Sequence, residues 1–214
     1  MQKPFEKNFE KLNLPFYIKE IKEEVFGDNF LETYYANTEW KLDCLIDRAL
    51  QVKIDDIDGD VAEVGVARGG SAKLLANIFS NKKIHLFDTF QGLPHDDILS
   101  GTVIGDFSES ESTARETLSK FDNIEINVGV FPETVNLENT NNYSFVHLDA
   151  DTYKSTMDGL IYFYPRMNKG GVILIDDYMF DELPGVTLAV LEFTKVHNIK
   201  YLIPERWMCL IQKV

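Results

Sequence analysis

The stretch Tyr143–Tyr178, YSFVHLDADTYKSTMDGLIYFYPRMNKGGVILIDDY, decides how the rest of the chain is read. It parses as strand, helix, strand. Tyr143–Asp149 is a short run rich in β-formers. Thr152–Tyr164 is long enough for a helix, and Pro165 with Gly170-Gly171 marks its end. Val172–Ile175 is a continuous apolar run, which suits a strand buried on both faces. Each strand ends in acid: Asp149 and Asp151 after the first, Asp176 and Asp177 after the second. Open α/β sheets bind ligands outside the carboxyl ends of their strands, so adjacent strands would gather these carboxylates in one place. Two such charges about 4 Å apart repel by about 4 kcal/mol at an effective dielectric of about 20. A shared proton, a nearby Lys or Arg, or a divalent cation would offset that. An all-oxygen donor set favours a hard ion, Mg²⁺ first, then Mn²⁺ or Ca²⁺.

Upstream, Val61–Val66 reads as a buried strand interrupted only by Glu63 and Gly65. Ala67-Arg68-Gly69-Gly70-Ser71 follows, and Ser71, Leu74, Leu75, Ile78 and Phe79 mark a helix. A glycine-rich turn between strand and helix lets backbone approach a ligand, and the helix end favours a negative group. The glycine spacing is neither the dinucleotide pattern G-x-G-x-x-G nor a P-loop. Ile84–Phe87 is the second strand, closed by Asp88. An acid about 20 residues beyond a glycine turn can hydrogen-bond a ribose; otherwise it braces the next loop. Residues 89–108 are irregular, and a loop of that length reads as a wall or lid of the pocket. His95 within it reads as a solvated loop residue.

The remaining elements alternate. Ser108–Lys120 is a helix with Ser108 as its cap, Ile124–Val128 a third strand, and Pro184–His197 a helix. Lys200–Pro204 and Trp207–Lys213 pair as a terminal hairpin. Strands alternating with helices predict an α/β fold, a parallel sheet with helices on both faces. Residues 1–54 form a helical segment and 55–214 the main domain. In the first segment, Tyr17, Ile18, Ile21 and Val25 share a face. Thr38 caps a second helix carrying Leu42, Leu45, Ile46, Ala49 and Leu50 at helical spacing. These read as packing helices, or more sharply as a lid or homodimer contact with Tyr34, Tyr35 and Trp40 facing a substrate.

The formal net charge of the 214 residues is -14. That argues against nucleic acid and an anionic membrane surface as partners. Cys44 and Cys209 lack metal-ligand spacing, which points to a reducing compartment. With no secretory signal and no membrane-length apolar run, a cytoplasmic location is expected.

Four motifs taken together resemble the macrocin O-methyltransferase family: Glu63–Ser71 (EVGVARGGS), Asp88–Pro94 (DTFQGLP), His147–Thr156 (HLDADTYKST) and Asp176–Tyr178 (DDY). The resemblance runs from about Thr38 to the C-terminus. It implies a Rossmann-like class I methyltransferase fold, with a seven-stranded, mostly parallel sheet of order 3-2-1-4-5-7-6 and an N-terminal helical extension. It also implies S-adenosylmethionine as cofactor, Mg²⁺ dependence and a sugar or glycosylated acceptor. Residue by residue, it gives Asp149, Asp176 and Asp177 as metal ligands and Asp151 as general base. Glu63, Gly65, Gly69 and Ser71 fall in the cofactor's methionine and glycine-loop region, Asp88 on its ribose, and Gln91 is placed with the same cofactor-binding set.

A metal held by those acids would bind two neighbouring hydroxyls of a small-molecule acceptor and lower the pKa of the attacking one. Asp151 would take the proton, although an Asp beside Thr152 at a helix start is equally a cap. Lys154 is a second candidate base. The expected function is O-methylation of a vicinal diol. The alternatives are a catechol acceptor and a nucleoside-binding domain of the same fold without turnover. A nicotinamide-dependent oxidoreductase is disfavoured by the missing dinucleotide motif.

Overall fold

The computed structural model describes residues 18, 19, 21–23, 25, 39–135 and 142–214. The elements run α1 (Glu39–Ile54), β1 (Asp60–Val64), α2 (Gly70–Ile78), β2 (Ile84–Asp88), α3 (Glu111–Leu118), β3 (Ile124–Val128), β4 (Tyr143–Leu148), α4 (Tyr153–Phe163), β5 (Met167–Ile175), α5 (Pro184–Val196) and β6 (Cys209–Gln212). The sheet order is β3-β2-β1-β4-β5-β6. The first five strands are parallel, and β6 pairs antiparallel with β5. This is the predicted Rossmann-like order with six strands where seven were expected.

The missing strand is the first arm of the terminal hairpin. Leu202 makes one bridge to Leu210, with both N–H···O bonds at 2.9 Å, and no strand forms around it. Pro204 carries no N–H to extend such pairing. Trp207, at φ 61°, then turns the chain so that only 209–212 run along β5. A second correction concerns Gly170-Gly171, read as punctuation after a helix. These glycines lie inside β5, which starts at Met167 and shifts register between Tyr143 and Phe145 of β4. Gly170 takes φ 84°, the conformation such an irregularity requires. The Ser108 cap also moves. Helix α3 begins at Glu111 after Ser110, whose hydroxyl pairs with Ser112.

Burial on both faces explains the apolar strands. One face packs Phe145 and Leu174 against α1 and α2, through Leu45, Leu50, Leu74 and Leu75. The other packs Val146, Ile173 and Ile175 against α4 and α5, through Leu160, Phe163, Val190 and Phe193. Each fully buried large aliphatic contributes about 1.5–3 kcal/mol, so α1 is held by its own stripe of Leu42, Leu45, Ile46 and Leu50. Ile18, Ile21 and Val25 join the first cluster. Tyr17, Tyr34 and Tyr35 lie outside the described residues. Among the described residues, no helix is long and apolar enough to cross a membrane.

Candidate active site

The carboxyl ends of the central strands are drawn level by backbone hydrogen bonds that continue the ladder past the last strand residues. Gly65 N donates to Phe87 O at 3.0 Å, Asp149 N to Val64 O at 2.9 Å, and Asp176 N to Leu148 O at 3.0 Å. Gly65, Asp149 and Asp176 therefore stand side by side on the rim. They line one cleft of about 1150 Å³, together with Ser71, Asp88, Asp151 and Asp177. Asp176 and Asp177 are buried, while Asp149 and Asp151 are partly open to the cleft.

Asp151 owes its direction to a tight three-residue turn. Its φ is 58°, and Thr152 N donates back to Ala150 O at 2.6 Å. Left-handed backbone at a non-glycine residue is strained and clusters at functional sites. Asp177 has the same φ of 58°. Thr152 is the cap of α4: its hydroxyl oxygen accepts from Ser155 N at 3.2 Å. The cap reading of Asp151 is thereby removed. Lys154 ion-pairs with Asp158 one turn along α4, at 2.6 Å, and does not line the cleft.

Among the described residues, potential ligand atoms fall into two overlapping sets, each within 4.8 Å: His147, Asp149 and Asp176, and Asp149, Asp151 and Asp177. Lys41, from the first turn of α1, reaches into them. Its Nζ lies 2.7 Å from Asp176 Oδ1 and 2.6 Å from Asp177 Oδ1. Burial would lower the pKa of that ammonium, but the charges of Asp176, Asp177 and Asp149 outweigh it and raise the pKa above its usual value. Burial, and then the charge of Asp176, push Asp149 well above the usual carboxylate range. Asp151 is pushed up to about 8, first by burial and then by Asp177 and Asp176. Asp177 is raised by burial and Asp176, against the pull of Lys41.

These shifts have one sign. A carboxyl with a raised folded pKa keeps its proton in the folded chain where the unfolded chain has released it. Its contribution to stability is complete below the unfolded value of about 4 and is lost as pH rises through the folded value. That folded value is about 8 for Asp151. With divalent ions chelated, thermal melts are expected to show the unfolding temperature falling between about pH 5 and pH 8.

The other predicted residues separate into groups. Asp88 lines the cleft, but its carboxylate already accepts three backbone N–H groups: Val66 at 2.7 Å, Ala67 at 2.8 Å and Phe90 at 2.7 Å. It thus ties the glycine turn to β2, and a carboxylate has lone pairs left for a ligand. Asp88→Ala is expected to cost about 1–3 kcal/mol in denaturant unfolding, from three freed donors at a partly solvated site. Glu63 is fully buried beneath the cleft rather than on it. Its Oε1 meets His147 Nδ1 at 2.7 Å, and Oε2 has no hydrogen-bond partner among the described residues. Gly69 precedes α2, outside the lining, and packs toward Leu118. Gln91 is exposed, with its N–H on Thr89 Oγ1, and does not line the cleft. His95 is likewise outside the lining.

Several site features were not anticipated. Lys41 is one, and its signal was legible: it lies four residues before Leu45, in the apolar stripe of α1. The 89–108 loop, expected as a wall or lid, contributes Thr89, Leu93, Leu99 and Phe107 to the lining, but what pins it was not foreseen. Asp97 Oδ2 accepts from Tyr153 N at 2.8 Å, and Oδ1 from Leu99 N at 2.9 Å, which staples the loop to the start of α4. Nothing in the sequence marked Asp97. Trp207 and Phe180, with ring centroids 4.7 Å apart, form an aromatic wall beside the acids. Trp40 packs behind Trp207 at 5.9 Å and does not line the cleft.

The sheet order, the glycine turn after β1 and the acids after β4 and β5 together define a Rossmann-like methyltransferase fold. The profile of the macrocin O-methyltransferase family matches residues 28–208, and the chain belongs to that family. Among curated relatives, it is 29% identical over 165 residues to mycinamicin III 3''-O-methyltransferase of Micromonospora griseorubida, covering 68% of this chain and 64% of that protein. It is 30% identical over 148 residues to 8-demethyl-8-(2,3-dimethoxy-alpha-L-rhamnosyl)-tetracenomycin-C 4'-O-methyltransferase of Streptomyces olivaceus, covering 61% and 57%. A third relative, demethyldecarbamoylnovobiocin O-methyltransferase of Streptomyces niveus, is 28% identical over 145 residues, covering 58% and 55%. The chain thus spans between 55% and 64% of the length of these relatives. The structure of the O-methyltransferase NovP superposes with a TM-score of 0.76 at 21% identity, covering 94% of this chain and 100% of that one, a likeness of fold.

Proposed function

We propose that the protein is an S-adenosylmethionine- and Mg²⁺-dependent O-methyltransferase, acting on one hydroxyl of a vicinal diol in a sugar or glycosylated small molecule. The observation that carries this reading is the shared cleft: a glycine turn opening a helix on one side, and four carboxylates on the other. The three curated relatives are named for O-methyl transfer to mycinamicin, novobiocin and rhamnosyl-tetracenomycin compounds, which supports a glycosylated acceptor. Asp149 shares one 4.8 Å donor set with Asp176 and His147 and another with Asp177 and Asp151, so it is common to both, and the preponderance of carboxylate oxygens fits a hard divalent ion.

Bound there, Mg²⁺ would supply Lewis acidity to the acceptor's oxygens, and S-adenosylmethionine an electrophilic methyl group. The chain's own residues do the rest. Asp149, Asp176 and Asp177 would hold the ion. The turn at Gly65 and the N-terminal N–H groups of α2 would receive an anionic group of the cofactor. Phe180 and Trp207 offer an apolar surface to the acceptor, and the loop pinned by Asp97 walls the cleft from solvent. Asp151 accepts the hydroxyl proton at its carboxylate oxygen, and its raised proton affinity places it close to neutral pH. The test is an acceptor screen with S-adenosylmethionine, scored by S-adenosylhomocysteine formation. Turnover with glycosides bearing vicinal diols is expected. Turnover confined to catechols would replace the acceptor class, and turnover unaffected by chelator would remove the metal.

A further inference from the structure

Four carboxylates converge at the cleft, and two of them, Asp176 and Asp177, hold the ammonium of Lys41. Arg68, which also lines the cleft, pairs with Glu109 at 3.0 Å. Lys41 is buried and arrives from a different part of the chain, 136 positions before Asp177. Its two contacts, 2.7 Å and 2.6 Å, are at the short end for an ammonium on a carboxylate. They also use particular atoms. Asp176 Oδ1 accepts Lys41 and, at 2.8 Å, the N–H of Asp177, so that oxygen is fully engaged. Asp177 Oδ1 accepts Lys41 as well.

We propose that Lys41 is a built-in counter-cation that competes with the divalent ion for Asp176 and Asp177. The inference rests on the reading of these acids as a metal site, and goes beyond it by naming the chain's own rival for that site. Three physical points support it. An ammonium within hydrogen-bonding distance of two ligand carboxylates repels any further cation placed among them. Neutralising part of the cluster's charge also lets the acids be buried side by side before an ion arrives. Lysine is suited to the exchange: its charge sits on a flexible four-carbon stem, where arginine would offer a rigid fork. A displaced ammonium has the cleft to move into, since Lys41 and Trp207 both line it, and Nζ already stands 5.9 Å from the centroid of the Trp207 ring, a cation–π partner. Lys41 is a positioning residue here; nothing places it on the reacting atoms.

The experiment titrates MgCl₂ calorimetrically into wild type and Lys41→Met, in the presence of S-adenosylmethionine. Methionine keeps most of the apolar stem and removes the charge. Mg²⁺ is expected to bind Lys41→Met about tenfold more tightly or better. Equal or weaker binding would overturn the competition and leave the metal site standing. No Mg²⁺ heat in either protein, with cofactor still bound, would overturn the metal reading and the competition with it. Should Lys41→Met fail to fold, wild type carries the test through ¹⁵N-lysine spectra, with the Lys41 ammonium assigned by its loss in Lys41→Arg. A protected ammonium signal that vanishes on Mg²⁺ addition is expected. A signal unchanged at saturating Mg²⁺ contradicts the proposal.

Discussion

Asp151→Asn is expected to lower the rate of methyl transfer by about 10²–10⁴-fold, the usual worth of a positioned proton acceptor, with cofactor affinity nearly unchanged. The substitution keeps the size of the side chain and removes its basicity. It also leaves α4 intact, because Thr152 supplies the cap. The accompanying signature is in stability. Burial and the charges of Asp177 and Asp176 raise the Asp151 pKa to about 8, so its ionised form is disfavoured in the folded chain. Replacing it by a neutral amide removes that cost. The variant is expected to unfold at a higher temperature than wild type at about pH 8 or above, in chelator, and to differ little below about pH 5. A structural brace would behave in the opposite way and lose stability. In wild type the rate should rise with pH as Asp151 gives up its proton. A bound divalent ion, by favouring the ionised form, would shift that limb to lower pH. Asp151→Asn should lack the limb altogether.

Gly65→Ala is expected to destabilise the fold by about 2–6 kcal/mol and to abolish cofactor binding. Two costs combine. Gly65 has φ 86°, a conformation that a side chain makes expensive, by about 1–3 kcal/mol. A Cβ there would also stand 1.9 Å from Asp149 O and 2.9 Å from Asp149 C, both backbone atoms. The overlap forces the ends of β1 and β4 apart, adding about 1–3 kcal/mol or more. Against an overall stability of about 5–15 kcal/mol, such a loss shows as a large drop in melting temperature. Gly101→Ala is the control. Gly101 also has positive φ, 78°, but a Cβ there meets nothing within 4 Å. Its cost should stay at about 1–2 kcal/mol. Equal effects from the two variants would mean that the contact between the Gly65 turn and Asp149 contributes nothing.

Most of the fold was legible because the strands are buried on both faces. The continuous apolar run Val172–Ile175, and the β-rich run Phe145–Leu148 broken only by His147, have no competing interpretation once helices separate them. The acids that close those strands were legible for the same reason: topology brings strand ends together whatever their sequence distance. The errors came where local chemistry is ambiguous. Gly170-Gly171 reads equally as a helix stop and as a strand irregularity, and only the register with β4 decides. The terminal hairpin failed at Pro204 and at the left-handed Trp207, features that propensity does not resolve. Within the site, Asp88 and Glu63 were located correctly on their strands, but the sequence does not show what each carboxylate touches. Asp88 is occupied by three N–H groups and Glu63 by His147. Lys41 required reading a charged residue in an apolar stripe as a buried cation, and its partners lie too far along the chain to be guessed.

The measurement that tests the account most directly is calorimetric titration of S-adenosylmethionine and of Mg²⁺ into wild type and Asp177→Ala. The account predicts cofactor binding by both proteins and Mg²⁺ heat in wild type alone. Absence of cofactor binding under every condition would contradict the methyltransferase reading. Cofactor binding with no Mg²⁺ heat in either protein would return Asp149, Asp176 and Asp177 to proton transfer and structure.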